Sequence, residues 1–143
     1  MKKYLVIKPF EPADAIELAA DAVEKNIRWV CLHAEINANC GIAYTLYDPT
    51  GTKRLAAAGI RHKPNGSGEV WVILKKEVVH YKLSLLRSIR TMLEILKLEN
   101  GYKWLRTHSE IGFPESQRLL EHLGFKQMRT IMKNTHYYYR MEA

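Results

Sequence analysis

The chain has 143 residues, 47% of them hydrophobic, and a formal net charge of +7 at pH 7, which suits one domain over residues 1–143 with a sizeable core. No apolar run is long enough to cross a bilayer and no secretory signal is recognisable, so we expect a cytoplasmic protein without a membrane partner. The basic residues are spread along the chain without a block of like charge, which favours a solvated basic surface and disfavours nucleic acid as a partner, although the charge leaves an anionic partner open.

The first predicted elements are a short strand from Tyr4 to Ile7 and a helix whose first turn contains Pro12. The helix is expected to continue to Ile27. Its predicted buried face consists of the apolar residues that recur at helical spacing, which are Ile16, Ala19, Ala20, Val23 and Ile27.

Three strands joined by tight turns follow in the middle of the chain. They are expected over residues 41–48, 54–62 and 69–74, with the turn sequences DPTG and KPNGSG between them. This strand–turn–strand–turn–strand order predicts an antiparallel meander.

The pattern then changes to that of a long amphipathic helix, from about Val79 to Leu98, which Gly101 ends. Its predicted buried face holds Leu83, Leu86, Ile89, Leu93 and Leu96, with Leu85 and Met92 flanking it. The segment KWLRTH, residues 103–108, is the next strand. Because a long helix joins it to strand 69–74, we expect the two strands to be parallel.

A shorter helix is predicted from Pro114, with Gly124 ending it, and two strands of a hairpin follow at FKQMRTIM and HYYYRME. Leu119, Leu123 and Phe125 are expected to be buried. The order β, α, β, β, β, α, β, α, β, β places the chain in the α/β (α+β) class, with a mixed central sheet and flanking helices.

This element order resembles that of the GCN5-related N-acetyltransferase (GNAT) superfamily. The segment LLEHLGF, residues 119–125, resembles the common ending of the family's last helix, and the helix from Val79 resembles its cofactor-binding helix. The resemblance implies an acyl-CoA N-acyltransferase fold in which the two parallel central strands splay apart toward their C-terminal ends. It also implies acetyl-CoA as the cofactor.

The chain is also similar to a small group of bacteriophage proteins described as GNAT-like or internal virion proteins. The segments that follow the pattern of this group are EVWVILKKEV, YKLSLLRSIRTMLEILK, YKWLR and FPESQRLLEHLGF. This second resemblance implies a host or virion protein as the partner, and the host cytoplasm or the virion as the location.

The polar residues typical of the superfamily are replaced in this chain. In its phosphate-binding pattern, Arg/Gln-x-x-Gly-x-Gly/Ala, the first position aligns with Glu77 and the two glycines align with His80 and Lys82. The family's Tyr general acid aligns with Leu120, and an Asn often found upstream aligns with Phe113. Since Glu77 repels an anion and side chains crowd the backbone donors, we expect acetyl-CoA to bind weakly or not at all.

The candidate cofactor-binding residues lie at the end of strand 69–74 and the start of the helix after it. They are Leu74, Lys75, Lys76, His80, Lys82, Ser84 and Arg87. In the functional interpretation, Lys82, Ser84 and Arg87 surround a diphosphate. In the alternative, they are the exposed basic face of an amphipathic helix, and the sequence leaves both open.

A surviving acyltransferase needs a base near the strand that would pair with the pantetheine, and the candidates are Glu69, His108 and Glu110. For each of the three, an ordinary solvated residue at a strand end is the favoured interpretation.

Three other features have structural interpretations. The aromatic run Tyr137–Tyr139 is expected to pack in the core and at a sheet edge, because adjacent strand residues face opposite sides and cannot form one base-stacking platform. Trp29, Trp71 and Trp104 are expected in the core. Cys31 and Cys40 are expected to be reduced thiols, with a disulfide or a metal pair less favoured, and no metal-binding motif occurs.

Two functions follow from these patterns. In the first, the protein has lost the chemistry of the superfamily and acts by binding a partner. In the second, it is a divergent acyl-CoA-dependent N-acetyltransferase that acts on an amine of a protein or small molecule. The replaced glycines and the missing Tyr favour the first function.

Overall fold

The structure is a computed structural model that describes residues 5–20, 41–110, 114–132 and 136–142. Its helices and strands are β1 (Val6–Pro9), α1 (Pro12–Ala19), β2 (Gly41–Tyr47), β3 (Arg54–Lys63), β4 (Ser67–Leu74), α2 (Lys82–Asn100), β5 (Trp104–Glu110), α3 (Pro114–His122), β6 (Lys126–Met132) and β7 (His136–Glu142). Two 3-10 helices, Pro64–Gly66 and Lys76–Tyr81, precede β4 and α2. None of the described helices is long and apolar enough to cross a bilayer.

The strands form a seven-stranded mixed sheet in the order β1-β2-β3-β4-β5-β7-β6. The β2-β3-β4 meander and the β6-β7 pair are antiparallel, and β4 and β5 are parallel neighbours joined through α2. The predicted fold class, meander, parallel pair and final hairpin are therefore confirmed.

The turn between β2 and β3 is organised by the side chain of Asp48. One of its carboxylate oxygens accepts hydrogen bonds from the backbone N–H groups of Lys53, at 3.1 Å, and Thr52, at 3.0 Å. The hydroxyl of Thr50 donates to the same carboxylate, and Gly51 adopts a positive φ of 77°. The N–H of Lys53, together with Thr50 and Thr52, holds the pKa of Asp48 below its usual range. The DPTG sequence thus fixes the meander through one buried carboxylate.

The two faces of the sheet carry different layers because side chains alternate along each strand. In β4, Val70 and Leu74 pack in the main core beneath α2 and α3. Trp71 and Ile73 point to the opposite face and pack against α1.

The buried face of α1 differs from the predicted one. Ile16 is 70% exposed, whereas Asp14, Ala15 and Leu18 are buried. The carboxylate of Asp14 accepts hydrogen bonds that hold the start of the helix against the sheet, and this contact turns Ile16 outward. The part of the predicted helix beyond Ala20 lies outside the described residues.

Asp14 joins α1 to β2 and β3. Its carboxylate accepts hydrogen bonds from Glu11 N at 2.8 Å, Thr45 Oγ1 at 2.7 Å and Arg54 Nε at 2.5 Å. Burial acts to raise the pKa of Asp14, but the bonds from Thr45 and Arg54 outweigh it and leave the pKa below its usual range. The same contact raises the pKa of Arg54.

The long helix begins three residues later than predicted, at Lys82, after the 3-10 helix. Its buried residues are Leu85, Ile89, Met92, Leu93 and Leu96. Leu83, which was assigned to the buried face, is 59% exposed, and Leu86 is only half-buried. The apolar stripe is therefore centred closer to Leu85 and Met92 than the spacing suggested. Gly101 ends the helix with φ 63°, as predicted.

The apolar residues in the last turns of α3 and just after it follow the prediction in part. Leu123 and Phe125 are buried, but Leu119 is half-buried and Leu120 takes the core position instead. Phe125 N donates to Leu120 O at 3.0 Å, which folds the end of α3 back onto its last turn. Leu120 is consequently turned into the core.

Among the aromatic residues, Trp71 and Tyr139 are buried, as expected. Trp104 is half-buried, so its assignment to the core was wrong. It lies on the face of β5 opposite to the core residue Leu105, where the guanidinium of Arg140, diagonally across the β5–β7 pair, covers its ring at 4.4 Å from the centroid. Trp29, Cys31 and Cys40 lie outside the described residues, as do the side chains of Tyr137 and Tyr138.

Candidate functional site

A cleft opens where β4 and β5 separate. The two strands pair only through Ser67–Glu69 and Trp104–Arg106, although β4 continues to Leu74 and β5 to Glu110. One side-chain bond extends the contact, from Thr107 Oγ1 to Val70 O at 2.7 Å. The predicted splay of the central strands is therefore present.

On the β4 side of this cleft lie backbone groups that have no strand partner among the residues that the structure describes. Lys75 N donates to Leu55 O at 3.0 Å, which shows that the odd-numbered residues at this end of β4 direct their polar backbone atoms to β3. The alternation of a strand then directs those of Val72 and Leu74 toward β5, beyond the last β4–β5 pair. An extended ligand could add to this edge in the manner of a strand.

The far end of the cleft is closed by helical backbone. Residues Lys76–Tyr81 form a 3-10 helix that continues directly into α2. A 3-10 helix satisfies its N–H groups by bonds to carbonyls three residues earlier, and Val78 N donates to Lys75 O at 3.0 Å. The side chain of Val78 is buried in the core. The N–H of Val78, one of the backbone donors at this position, is thus used within the chain.

The predicted cofactor residues lie around this 3-10 helix with different exposures. Leu74 is buried, Lys75 and Ser84 are half-buried, and Lys76, His80, Lys82 and Arg87 are exposed. Lys75 Nζ lies 3.9 Å from Glu77 Oε1, so one candidate cation already faces a carboxylate. Lys82 and Arg87 are five positions apart on a helix, about 140° around its axis. Their grouping around one diphosphate stays a prediction.

The cofactor fits this cleft only in part. The open edge of β4 suits the amide groups of a pantetheine chain. The segment at its end suits a diphosphate less well, since the N–H of Val78 is bonded within the chain and the exposed Glu77 carboxylate would repel the phosphates.

Of the three predicted catalytic residues, Glu69 is the one whose side chain the structure describes. Its Oε2 lies 3.3 Å from Arg106 Nε and 3.9 Å from Lys63 Nζ, and the side chain is 14% exposed. The carboxylate is therefore a shared counter-ion at the last paired position of β4. His108 and Glu110 lie on the part of β5 beyond the β4 pairing, and their side chains are outside the described part of the chain.

The position of the superfamily's general acid is occupied by Leu120. This side chain is 5% exposed and belongs to the main core. It carries no proton to donate, so that role has no residue at this position. Phe113, at the position of the upstream Asn, lies outside the described residues. Among the described residues, no group of three or more His, Cys, Asp and Glu side chains could hold a metal ion.

Sequence reasoning missed a pair of arginines near the base of the cleft. Arg106 of β5 lies opposite Arg140 of β7 in the antiparallel register. The alternation of side chains along a strand could have predicted that each arginine faces outward. The pairing register of β5 and β7, which are distant in sequence, cannot be inferred from one sequence.

The sequence matches no family model and no curated protein. The structure, in contrast, is similar to solved acetyltransferases over nearly its whole length. An acetyltransferase of the GNAT family from Bacillus anthracis matches with a TM-score of 0.71 and 15% identity, covering 99% of this chain and 97% of that one.

Two further solved structures are similar. A domain from Methanocaldococcus jannaschii matches with a TM-score of 0.73 and 16% identity, covering 99% of this chain and 100% of that one. The ribosomal-protein-S5-alanine acetyltransferase from Vibrio fischeri matches with a TM-score of 0.68 and 14% identity, covering 99% and 94%. Together with the sheet order and the cleft, these similarities show that the chain has the GNAT fold.

Proposed function

We propose that this protein is a phage-encoded member of the GNAT fold class that has lost acetyl-CoA-dependent chemistry and acts by binding a host or virion protein. The observation that carries this proposal is the 3-10 helix Lys76–Tyr81 at the position of the phosphate-binding loop. The phage origin rests on the sequence resemblance alone.

Anion binding at a helix start depends on backbone N–H groups that are free to point at the ligand. Here α2 follows the 3-10 helix directly along the chain, and Tyr81 at the junction has a non-helical backbone, with φ −131° and ψ 24°, and provides no side-chain cap. A diphosphate would have to unwind this segment and displace the bond from Val78 N to Lys75 O. The hydrogen bonds broken within the segment would offset those newly formed to the phosphates, so the net free energy gained on binding is small.

The general-acid position supports the same proposal. Leu120 is packed in the core and has no proton to transfer to a leaving thiolate.

A divergent N-acetyltransferase is the second candidate, and the open edge of β4 favours it. Val72 and Leu74 direct their backbone groups into the space between β4 and β5, where an acyl-CoA could form strand-like bonds. The exposed Lys76, His80 and Lys82 would supply charge attraction at the end of the cleft. In this candidate function the acceptor is an amine of a protein or a small molecule.

An acyl-transfer assay tests the proposal. The purified protein is incubated with acetyl-CoA, a polyamine and a lysine-containing peptide, and release of the CoA thiol is followed. We expect no release above the uncatalysed rate. Turnover that requires both the protein and an amine would contradict the proposal and establish the second candidate.

A gain-of-binding variant supplies the matched comparison. The triple substitution Glu77→Arg, His80→Gly and Lys82→Gly restores the family pattern and favours opening of the 3-10 helix, because glycine destabilises helical backbone. We expect it to bind acetyl-CoA at least about tenfold more tightly than the unmodified protein. Equal affinities would show that the loop is not the reason for weak binding.

A further inference from the structure

A row of charged side chains crosses the sheet on the face that α1 shares. Cross-strand register aligns Arg61, Glu69, Arg106, Arg140 and Lys126 on β3, β4, β5, β7 and β6. Residues that are neighbours in register lie on the same face of a sheet, about 5 Å apart. This charged row therefore contains four cations and one carboxylate, and it is separate from the cleft end where the cofactor residues lie.

The centre of the row is the arginine pair, Arg106 and Arg140. Like charges directly opposite each other in a sheet are destabilising. The side chains are 34% and 37% exposed, so their charged ends are reachable from solvent. An anion placed between the two guanidinium groups would relieve their repulsion.

A glutamate carboxylate lies beside each of the two guanidinium groups. Arg106 Nε lies 3.3 Å from Glu69 Oε2 and Arg140 Nε lies 2.7 Å from Glu142 Oε1. Neither approach has the geometry of a hydrogen bond, so both buried Nε–H donors lack an acceptor among the residues that the structure describes. The guanidinium of Arg140 also stacks on the Trp104 ring, with its carbon 4.4 Å from the ring centroid, and this contact further fixes the plane of the guanidinium. Both Nε–H groups are buried beside these carboxylates, so a ligand from solvent would bind the other N–H groups of each guanidinium, whose plane is fixed.

We propose that the arginine pair is the docking point for an acidic side chain of the protein partner, and this inference rests on the proposed function. A planar carboxylate matches the fork of a guanidinium and can bind it with two parallel hydrogen bonds. Trp104 lies half-buried beside the pair and offers apolar surface to the residue next to the acidic one.

The charges around the pair favour an acidic protein segment over nucleic acid. Glu69 and Glu142 lie beside the two arginines, each at ion-pair distance from one of them. A single carboxylate can bind a guanidinium without approaching both glutamates, whereas a nucleic-acid strand carries a charge at every phosphate and would meet both of them.

Fluorescence anisotropy with a labelled peptide tests the proposal. The probe is a ten-residue peptide of alternating Glu and Leu, acetylated at its N-terminus and free of lysine, and a ten-nucleotide oligothymidylate is the second probe. We compare the unmodified protein with Arg106→Gln and Arg140→Gln. The matched control is Arg118→Gln, which removes an exposed arginine from α3 on the other face.

We expect the peptide to bind the unmodified protein, with each of the two central substitutions weakening binding at least about tenfold. The control should change the affinity by less than about twofold. Absence of peptide binding, equal effects of all three substitutions, or tighter binding of oligothymidylate that is lost in the two central variants would each overturn the proposal. Circular dichroism verifies that the variants are folded.

A second measurement is made on the unmodified protein and uses the variants only to assign its resonances. The Nε–H resonances of Arg106 and Arg140, assigned by their disappearance in the variants, should shift when sodium acetate is added at constant ionic strength, and those of Arg118 should not. Equal shifts at all three would contradict the site. Because the peptide has no amine to acetylate, its binding can fail or succeed whatever the acyl-transfer assay finds, so the two proposals fail separately.

Discussion

Replacing Asp14 by Asn should weaken the attachment of α1 to the sheet without changing the size of the side chain. The carboxylate accepts hydrogen bonds from Glu11 N, Thr45 Oγ1 and Arg54 Nε, and it is 1% exposed. The Asn amide has one acceptor oxygen in place of two. Its NH2 group would then face one of the groups that donate to the carboxylate. At least one hydrogen-bond donor then loses its acceptor.

The size of the effect follows from these contacts. A hydrogen bond to a charged group contributes about 1.5–3 kcal/mol and a helix N-terminal contact about 1 kcal/mol. Because Arg54 keeps partial access to water, with 27% of its side chain exposed, we expect a total loss of about 2–4 kcal/mol in the free energy of unfolding. For a chain of this length that corresponds to a fall in Tm of about 6–12 °C.

The substitution should also change the pH dependence of stability. The pKa of Asp14 is lowered in the folded protein, so its contribution is present above the unfolded-state pKa of about 3.9 and is lost as the pH falls through the folded-state pKa. Asn does not titrate. The unmodified protein should therefore lose more stability between pH 7 and acid pH than the variant does.

Urea unfolding followed by circular dichroism at pH 7 and at acid pH measures both effects. Glu17→Gln is the matched control, because Glu17 also pairs with Arg54 but is 44% exposed. We expect it to cost about 0.5 kcal/mol or less. Equal stability of Asp14→Asn and the unmodified protein, or the same pH dependence in both, would refute the role assigned to this carboxylate.

Two substitutions test the packing of the fold. Phe125→Ala empties a position that is 3% exposed and should lower the free energy of unfolding by about 3–5 kcal/mol; an unchanged thermal midpoint would contradict its place in the core. Gly59→Ala would set a methyl group 2.5 Å from Ile42 O and 2.9 Å from the Trp71 ring, so we expect a loss of about 1–3 kcal/mol in thermal or urea unfolding; a stabilised variant would show that β2, β3 and Trp71 do not pack this closely.

Much of the fold could be predicted from local patterns. The DPTG and KPNGSG turns define the meander, and the long helix between two strands predicts their parallel pairing. The buried face of α1 was wrong because a hydrogen-bonded carboxylate, Asp14, occupies a position that apolar periodicity assigns to solvent. Periodicity measures hydrophobicity and contains no information about a buried ion pair.

The candidate site was predictable only where it depends on order along the chain. The splayed strands follow from the family resemblance, whereas the 3-10 helix at Lys76–Tyr81 gives no signal in the sequence that distinguishes it from the first turn of α2. The arginine pair depends on the register between β5 and β7, which is set by the packing of the whole sheet.

Calorimetric titration with acetyl-CoA at low and at high salt is the most direct test of the central claim that the fold is kept and its cofactor site is lost. The closed 3-10 helix predicts a Kd of about 0.1 mM or weaker. Attraction by Lys82 and Arg87 should account for what binding is left, so Lys82→Ala and added salt should each weaken it further. Micromolar binding that is insensitive to salt would contradict the account and place the acyltransferase function first.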